Sequence, residues 1–474
     1  MTPQHYIDFI TPFLPKDTSI DQLIAINRQP LRKSIRINTL KTDIDSCVET
    51  LRAQGYQLTP IPWCSNGFWI DESQCHHSTA LGNTAEHLQG KIYIQEASSM
   101  LPVEALLYNN EVPHLAMDMA AAPGSKTTQL AAAMNNQGLL LANEYSASRI
   151  KGLFSNIQRC GNINVVLSHF AGQQLGKPLE GTFDAVLLDA PCSGEGTVRK
   201  DPDAFANWSE SSVHAIADMQ KELITAAFQA LKQNGTLIYS TCTLNPIENQ
   251  SVCQHLLDTF GDEVITESLT NLFPGANKAA TSEGYLHVWP HYYDSEGFFI
   301  ARFKKQVATT AAKPHPMLLA KFPFSPLAKK TAASFIGDVK SRLGIDLSEH
   351  QQQLWSRKDE LWYFPQSIDA LIGKVKMDRL GIKLANEHRT GWRFCHELAV
   401  HFGTDATNTY CLDHEQASHY LQGKDLTDIE LPHNAKEWIV DYQDSPLGLA
   451  KSVNKKLKNQ LPRELVRDNA YISH

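Results

Sequence analysis

Two cysteines of the chain stand in turn-forming segments that directly follow apolar, β-branched runs. Cys192 lies in DAPCSGEG after the run FDAVLL, and Cys242 lies in STCT after the run GTLIY. A thiolate in such a place is a candidate nucleophile, because covalent addition splits one difficult step into two easier ones. Asp189, the first residue of DAPCSGEG, adds a carboxylate. Cysteines in apolar settings are expected to be core residues, and they are Cys47, Cys160, Cys253 and Cys395.

A turn rich in small residues precedes these segments. It reads DMAAAPGSKT, residues 118–127, between a predicted strand, HLAMDM, and a predicted helix, SKTTQLAAAM. Small residues let the backbone approach a ligand, and a helix N-terminus attracts negative groups. A plain tight turn is the alternative. Glu144 ends the next predicted strand, GLLLANE, where an acid can bind ribose hydroxyls or simply face solvent. Together the two features predict a nucleoside cofactor site. The spacing of neither GxxxxGK[ST] nor GxGxxG is present.

Residues 91–305 alternate between strand and helix patterns. The predicted strands are HLAMDM, GLLLANE, NINVVLSH, FDAVLLDAP, GTLIYSTCT and GFFIARFKK. This alternation predicts an α/β fold with a doubly wound parallel sheet, whose ligands bind outside the carboxyl ends of the strands. Both cysteines are therefore expected in one crevice.

The helices on either side of GTLIYSTCT have marked ends. We expect the helix before this strand to end at Gly235. The helix after it is expected to begin with Asn245 as its cap and Pro246 in the first turn. Glu248 would complete a capping box.

The N-terminal region mixes helix and strand signals. LRKSIRINTLK, from Leu31 to Lys41, alternates apolar and basic residues like a strand with one charged face. Two interpretations are equally good: an edge that contacts phosphates, or a solvated strand face. The basic residues concerned are Arg32, Lys33, Arg36 and Lys41.

Length and charge limit the class of protein. A chain of 474 residues is expected to form about three or four domains. A net charge of −8 argues against a protein that simply coats nucleic acid, although a local basic face remains compatible with it. There is no apolar run of the roughly 18–20 residues that spans a bilayer, and MTPQHYIDFI is no signal peptide. We expect a soluble, cytoplasmic protein that does not bind membranes.

Cysteine spacing gives no sign of a metal site. The nine cysteines form no CxxC pair. Cys64 and the run Cys75-His76-His77 lack the spacing of a zinc site. A reducing compartment and the absence of a metal are therefore expected.

The motifs together resemble a known family. DMAAAPGSKT, DAPCSGEG and STCT, supported by IQEASSMLP and EGFFIARF, are similar to the RNA cytosine-5 methyltransferases of NOL1/NOP2/Sun type. The resemblance implies a Rossmann-like class I methyltransferase core, a small α+β N-terminal domain and a C-terminal PUA-like RNA-binding region. The length is most similar to that of bacterial members that methylate C5 of a cytidine in the decoding region of 16S rRNA.

Domain boundaries follow from the patterns and the resemblance. Residues 1–90 are expected to form the N-terminal RNA-binding domain, and residues 91–305 the methyltransferase domain. The stretch from Gln306 to Pro316 reads as a linker. It opens an intermediate domain, 306–385, which a PUA-like domain, 386–474, follows. The last part carries a basic segment with Lys451, Lys455, Lys456, Lys458, Arg463 and Arg467.

The resemblance also assigns roles. It implies that Cys242 attacks C6 of the base, that Cys192 assists release of the product, and that Asp189 holds the N3/N4 edge. It implies S-adenosyl-L-methionine as the cofactor and RNA as the partner, with 16S rRNA or the small ribosomal subunit as the expected RNA. We expect the protein to be a monomer. The residues expected to bind the cofactor are Ala120, Ala121, Ala122, Pro123, Gly124, Ser125, Lys126, Glu144 and Asp189.

The chain departs from the family pattern at one point. The family usually has an acid or amide shortly after the third strand, on the adenine side of the cofactor. This chain reads SHFAG there, with Ala171, so that contact is missing or comes from elsewhere. Two rival functions remain: a tRNA cytosine-5 methyltransferase, and a non-enzymatic RNA-binding ribosome assembly factor. Cofactor binding separates the second rival from an enzyme.

Overall fold

The computed structural model describes residues 2–75, 79–307, 322–404 and 406–466. Most of the expected linker from Gln306 to Pro316 lies outside these residues, as do His76, His77 and Arg467. Within the described ranges, no helix is long and apolar enough to cross a membrane.

The N-terminal region is a four-stranded antiparallel sheet with helices packed beside it. Its strand order is β2-β3-β1-β4. The last strand lies just beyond residue 90, so this sheet extends past the boundary expected from sequence. The elements are α1 Gln4–Ile10, α2 Ile20–Asn27, β1 Ser34–Ile37, α3 Ile44–Ala53, β2 Gln57–Ile61, β3 Cys64–Asp71, α4 Ala85–Leu88 and β4 Ile92–Ile94.

The central region is the expected doubly wound sheet. Five parallel neighbours run in the order β9-β8-β5-β6-β7, and β12 pairs antiparallel with β9. All six predicted strands form. The elements are α5 Leu101–Leu107, β5 Leu115–Asp118, α6 Ser125–Ala133, β6 Leu139–Asn143, α7 Ala147–Arg159, β7 Val165–Ser168, β8 Phe183–Asp189, α8 Glu210–Ala230, β9 Leu231–Thr241, α9 Gln250–Phe260, β10 Val264–Thr266, β11 Leu286–Val288, α10 Pro290–Tyr293 and β12 Phe298–Lys305.

Helices cover both faces of this sheet. Leu223 and Phe228 of α8 pack on one face, in a buried cluster with Met117 of β5. Leu130 of α6 and Leu153 of α7 pack on the other face. Because side chains alternate along a strand, one strand supplies both cores. The ends of the strands are held in place by this double burial.

Two helix ends differ from the prediction. Helix α8 ends at Ala230 rather than Gly235, because Leu231 already pairs with Phe183 in the sheet. Helix α9 begins at Gln250 rather than beside Asn245. The expected cap does form on the preceding turn.

The polar groups of that turn bond within the turn and to β9. The Glu248 N–H donates to Asn245 Oδ1 at 2.9 Å, and the Glu248 carbonyl accepts the Tyr239 hydroxyl at 2.5 Å. The Glu248 side chain does not reach back to the Asn245 backbone, as a capping box requires.

Strand β1 is buried on both faces, so the charged face predicted from the alternation is wrong at Arg36, whereas Arg32 and Lys33, which precede the strand, are exposed. Arg36 is 1% exposed and donates to Gln95 Oε1 and Thr128 Oγ1, both at 2.9 Å. Lys41 Nζ donates to the Val400 carbonyl at 3.0 Å, and burial lowers the pKa of Lys41 to about 8. Arg36 is thus an interior cation, and Lys41 is half-buried. They join the N-terminal sheet to other parts of the chain.

The C-terminal part contains two further sheets, with strand orders β13-β14-β15-β17-β18 and β19-β20-β21-β22. Strand β16 leaves its neighbours and pairs antiparallel with β7, at the edge of the central sheet. The elements are β13 Ser325–Pro326, α11 Lys329–Leu343, β14 Leu354–Arg357, β15 Glu360–Tyr363, β16 Arg379–Leu380, β17 Ile382–His388, β18 Gly391–Phe394, α12 His396–Phe402, β19 Thr409–Cys411, α13 His414–Leu421, β20 Glu437–Tyr442, β21 Ser445–Val453 and β22 Lys456–Asn459.

Replacing the buried guanidinium of Arg36 tests its structural role. Arg36→Ala leaves Gln95 and Thr128 without a donor in a closed space, and we expect a loss of about 3 kcal/mol. Thermal unfolding should show a midpoint lower by roughly 5–10 °C. Lys33→Ala is the control, since Lys33 makes a largely exposed ion pair with Glu72 and should change stability by less than about 1 kcal/mol. Equal midpoints for the two variants would contradict the structural role.

Candidate active site

The carboxyl ends of the central strands bring the predicted site residues to one edge of the sheet. Strand β8 ends at Asp189 and its parallel neighbour β9 ends at Thr241. Cys192 and Cys242 follow these ends in adjacent loops. Their Sγ atoms lie 3.1 Å apart, within hydrogen-bond distance, and both are free thiols that are half-buried. The two thiols therefore meet at one edge of the sheet.

The contact between the two sulfur atoms affects how Cys192 titrates. The hydrogen bond with Cys242 raises the pKa of Cys192 well above its usual range, and burial and the nearby Glu248 and Glu195 raise it further. Cys192 therefore stays a thiol at neutral pH. Its S–H can donate to the Cys242 sulfur.

Main-chain contacts lock the two cysteine loops together. The Gly196 N–H donates to the Cys242 carbonyl at 3.1 Å, and the Gly297 N–H donates to the Gly196 carbonyl at 2.9 Å. A Cβ atom at Gly196 would lie 2.6 Å from the Gly297 oxygen and 2.7 Å from the Cys242 oxygen. Only glycine permits this approach. The loop before β12 thus closes the same site.

A buried polar network that sequence reasoning missed lies behind the cysteines. Asn245 Nδ2 donates to Glu195 Oε1 at 2.9 Å and to Glu248 Oε1 at 2.8 Å. The Ser193 hydroxyl contacts both carboxylates, and the Thr243 hydroxyl donates to Glu195. Burial, and then the nearby Glu195, raise the pKa of Glu248. The network fastens the loop that carries Cys192 to the loop that carries Cys242.

The polar residues in SGEG and TLNPIEN were the only sequence feature that pointed to this network. From the sequence, the expected role of Glu248 was local, in the capping box of the following helix. Its side chain instead accepts hydrogen bonds from Ser193 and Gln220, which no local pattern indicates. Those partners are 55 and 28 residues away.

Asp189 receives two donors at the mouth of the crevice. Ser240 Oγ donates to its Oδ1 at 2.7 Å, and Lys126 Nζ donates to its Oδ2 at 2.7 Å. Lys126 is 6% exposed, and its Nζ also donates to Ser99 Oγ at 2.9 Å. The lysine of the small-residue turn therefore reaches the loop of β8 and fixes the carboxylate beside the cysteines.

The small-residue turn, which we call the cradle, leads into the N-terminus of α6. Gly124 caps the helix with φ +106°, a conformation that favours glycine. The Ala122 N–H donates to Glu144 Oε2 at 3.2 Å, and the Ser146 N–H donates to Glu144 Oε1 at 2.8 Å. Glu144, which is 3% exposed, lies directly against the cradle. The turn and the acid after β6 thus meet as expected.

A buried acceptor beside the cradle is left without a partner. Asp118 Oδ2 accepts the Thr127 hydroxyl at 2.7 Å, while Asp118 Oδ1 has no partner in the described part of the chain. Burial raises the pKa of Asp118 to about 6. An orphaned carboxylate oxygen at a helix N-terminus suits a ligand that brings its own donor, such as an ammonium group. The residues present therefore fit an amino-acid-containing nucleoside cofactor.

Ala171, the residue at which the chain departs from the family pattern, follows strand β7. It precedes the turn Gly172–Gln174 that follows β7, and its side chain is half-buried and apolar. Asn143 Nδ2 donates to the neighbouring Phe170 carbonyl at 2.9 Å and orders this turn. The position itself offers no polar side chain to a ligand.

A second acid pair flanks Lys126 on the side of β12. The Glu296 N–H donates to Glu96 Oε1 at 3.1 Å. Burial, and then the charge of Glu96, raise the pKa of Glu296 to about 8. The Phe298 ring lies 5.4 Å from Lys126 Nζ. The wall of the crevice therefore contains a carboxyl group that is largely neutral at pH 7.

Family models match almost the whole chain. The model described as 16S rRNA methyltransferase RsmB/F matches residues 105–304, and the N-terminal domain of 16S rRNA methyltransferase RsmF matches residues 2–97. The ribosomal RNA small subunit methyltransferase F pre-PUA domain matches 324–402, and the methyltransferase RsmF PUA domain matches 407–467.

Solved structures share the central fold. A methyltransferase homolog protein from Pyrococcus horikoshii is 32% identical, with a TM-score of 0.52 over 60% of this chain and 90% of that one. NSun6 from Pyrococcus horikoshii with SFG is 22% identical, with a TM-score of 0.55 over 64% of this chain and 98% of that one. The second likeness bears on the fold alone.

Curated relatives extend the similarity to both ends. Ribosomal RNA small subunit methyltransferase F of Aeromonas salmonicida (strain A449) is 49% identical over 98% of this chain and 98% of its own. The protein of that name from Escherichia coli O81 (strain ED1a) is also 49% identical, over 98% of this chain and 97% of its own. With about half of its residues identical to these relatives over nearly its whole length, the chain belongs to the ribosomal RNA small subunit methyltransferase F family.

Proposed function

We propose that this S-adenosylmethionine-dependent methyltransferase methylates C5 of a cytidine in the decoding region of 16S rRNA, with Cys242 adding covalently to C6. The observation that carries the proposal is the thiol pair. Cys192 and Cys242 lie 3.1 Å apart, and both follow strand ends at the edge that holds Asp189 and the cradle. The chemistry below explains why such a pair is needed.

C5 of cytosine is too weak a nucleophile to take a methyl group unaided. When the Cys242 thiolate adds to C6, the 5,6 double bond breaks and its electron pair moves onto C5. The bound cofactor then supplies an electrophilic methyl group on a sulfonium sulfur. The hydrogen bond from the Cys192 thiol supports the thiolate before it attacks.

Asp189 holds the base in place during this addition. Its carboxylate accepts from Ser240 and Lys126 and is thereby oriented at the strand end. Such a fixed carboxylate binds the N3/N4 edge of cytosine and stabilises the protonated ring of the adduct, because it is preorganised for the charge that develops there. Lys126 keeps the carboxylate from turning away. A target within a helix must also be flipped out of its stack, which costs a few kcal/mol.

Cofactor binding falls to the cradle and the acid after β6. Residues 120–126 offer a helix N-terminus and close backbone, and Glu144 lies where ribose hydroxyls are bound in related sheets. Asp118 Oδ1, which has no partner in the described residues, adds an acceptor for the cofactor ammonium group.

Release of the product requires loss of the C5 proton and departure of Cys242. A base takes the proton, the electron pair of the C5–H bond restores the 5,6 double bond, and the bond from C6 to sulfur breaks with its electrons on sulfur. Cys192 stabilises that leaving thiolate through its S–H donor. Cys192 thus acts through the same hydrogen bond when Cys242 attacks and when it leaves.

The choice of RNA rests on the relatives. Their names specify ribosomal RNA of the small subunit, which favours 16S rRNA over tRNA. The intact thiol pair and cradle disfavour a non-enzymatic assembly factor, because such a protein has no need of either.

Replacing the nucleophile should abolish methyl transfer. Cys242→Ala removes the only group proposed to activate C5, and we expect the rate to fall by roughly 10³-fold or more. The measurement is transfer of a labelled methyl group to 16S rRNA and to small subunits that lack the modification. Cys411→Ala is the control, since Cys411 is an exposed thiol on β19. Undiminished transfer by Cys242→Ala would refute the proposed mechanism.

Replacing the second cysteine should trap the covalent intermediate. In Cys192→Ala the leaving thiolate loses its hydrogen-bond donor, so the adduct between Cys242 and RNA accumulates. A slowly migrating protein–RNA band is expected on denaturing gels in the presence of cofactor. It should disappear in the double variant with Cys242→Ala. If Cys192→Ala transfers methyl groups at the rate of the unaltered chain and forms no adduct, Cys192 has no role in release.

A further inference from the structure

A cavity of about 410 Å³ lies where the part of the chain after residue 322 meets the central sheet. Helix α7, the segment before β16 and the hairpin of β14 and β15 form its walls. Its volume lies within the roughly 300–1,000 Å³ of small-molecule sites. Nothing in the mechanism above uses it. The lining residues that matter here are Phe154, Phe322, Phe324, Arg357, Trp362 and Arg379.

Four aromatic rings line this cavity without being closed off from solvent. Phe154, Phe322, Phe324 and Trp362 are all half-buried. The Phe324 ring lies 5.5 Å from both the Phe322 and the Trp362 rings. Aromatic side chains that keep an accessible face are the platforms on which unpaired bases stack.

Guanidinium groups lie over these rings. Arg379 lies 4.0 Å from the centre of the Phe154 ring, and Arg357 lies 4.8 Å from the Phe324 ring and 5.3 Å from the Trp362 ring. A guanidinium plane stacks on bases as an aromatic ring does and also attracts phosphate. The same residues therefore recognise both parts of a nucleotide.

The residues that line the cavity carry more positive than negative charge, which suits binding to RNA. Three basic residues, Arg357, Lys376 and Arg379, face one acid, Asp378. Arg357 is paired with Glu360 at 2.8 Å, and Lys376 lies 3.4 Å from Asp378. Arg379 has no ion-pair partner among the residues that the structure describes. An exposed, unpaired cation beside open rings complements an RNA phosphate.

The position of the cavity connects it to the reaction. The Asp378 N–H donates to the Leu167 carbonyl at 2.9 Å, so β16 continues the sheet beside β7. In the strand order β9-β8-β5-β6-β7-β16, neighbouring strands lie about 4.8 Å apart, which places β16 roughly 20 Å from β8, the strand that ends at Asp189. A nucleotide in the cavity and a base beside Asp189 can therefore belong to one RNA strand, separated by a few nucleotides.

We propose that this cavity binds an unpaired nucleobase of the substrate RNA, stacked on the open faces of the aromatic rings and guanidinium groups. The inference rests on the proposed function in so far as that function makes RNA the substrate. Stacking accepts any base, so the site anchors the strand near the target and does not read sequence.

Binding of a fluorescently labelled, unstructured oligouridylate to the full chain tests the proposal. Arg379→Ala and Phe324→Ala should each weaken binding by about 10-fold, the effect of losing one stacking contact. Arg52→Ala, an exposed arginine on α3, should bind like the unaltered chain. All variants should keep the cofactor affinity of the unaltered chain. Arg379 is exposed, so its truncation leaves no cavity in a core even if Phe324→Ala fails to fold.

Two outcomes would overturn the proposal. One is unchanged RNA affinity in Arg379→Ala at unchanged melting temperature. The other is photocrosslinking of 4-thiouridine RNA that avoids the peptides with Phe154, Phe324 and Trp362, where crosslinks are expected. Methyl transfer is measured on the same samples. A chain that binds oligouridylate through these residues but methylates no RNA would refute the proposed function and support the cavity.

Discussion

The active site depends on the contact between the loops that follow two neighbouring parallel strands. Parallel pairing of β8 with β9 brings the loops together, and the hydrogen bond from Gly196 to the Cys242 carbonyl holds them there. The two sulfur atoms lie 3.1 Å apart, and a Cβ at Gly196 would obstruct the backbone contact between their loops. Burial on both faces of the sheet then prevents the strand ends from moving apart.

The surroundings of the carboxyl groups in the site give them different roles. The polar network of Ser193, Glu195, Asn245 and Glu248 supports the loops from behind, where burial raises the pKa of Glu248. Asp189 has a lysine partner instead, and we propose that it binds the base. Carboxyl groups of one chemical type would thus serve as a scaffold in one place and as a binding group in another. The difference comes from which donors surround each group.

Much of this architecture could be predicted from local patterns. The six central strands and the meeting of Cys192 with Cys242 follow from apolar runs and from the rule that strand ends share an edge. Errors arose where a distant partner decided the outcome. Arg36 alternates with apolar residues, as a surface cation does, but it is buried and donates hydrogen bonds to Gln95 and Thr128. Helix α8 ends early because Leu231 enters the sheet. No local signal in the chain indicates that β16 pairs with β7 rather than with its sequence neighbours.

The central claim is that this chain places a methyl group on C5 of one cytidine in 16S rRNA. Bisulfite sequencing tests it most directly, because a C5-methylated cytosine resists deamination. Small-subunit RNA is compared between cells that make the protein, cells that lack it and cells that make only Cys242→Ala. We expect one protected cytidine in the decoding region, present in the first cells and absent from the other two. Identical conversion of every cytidine in all three would contradict the account.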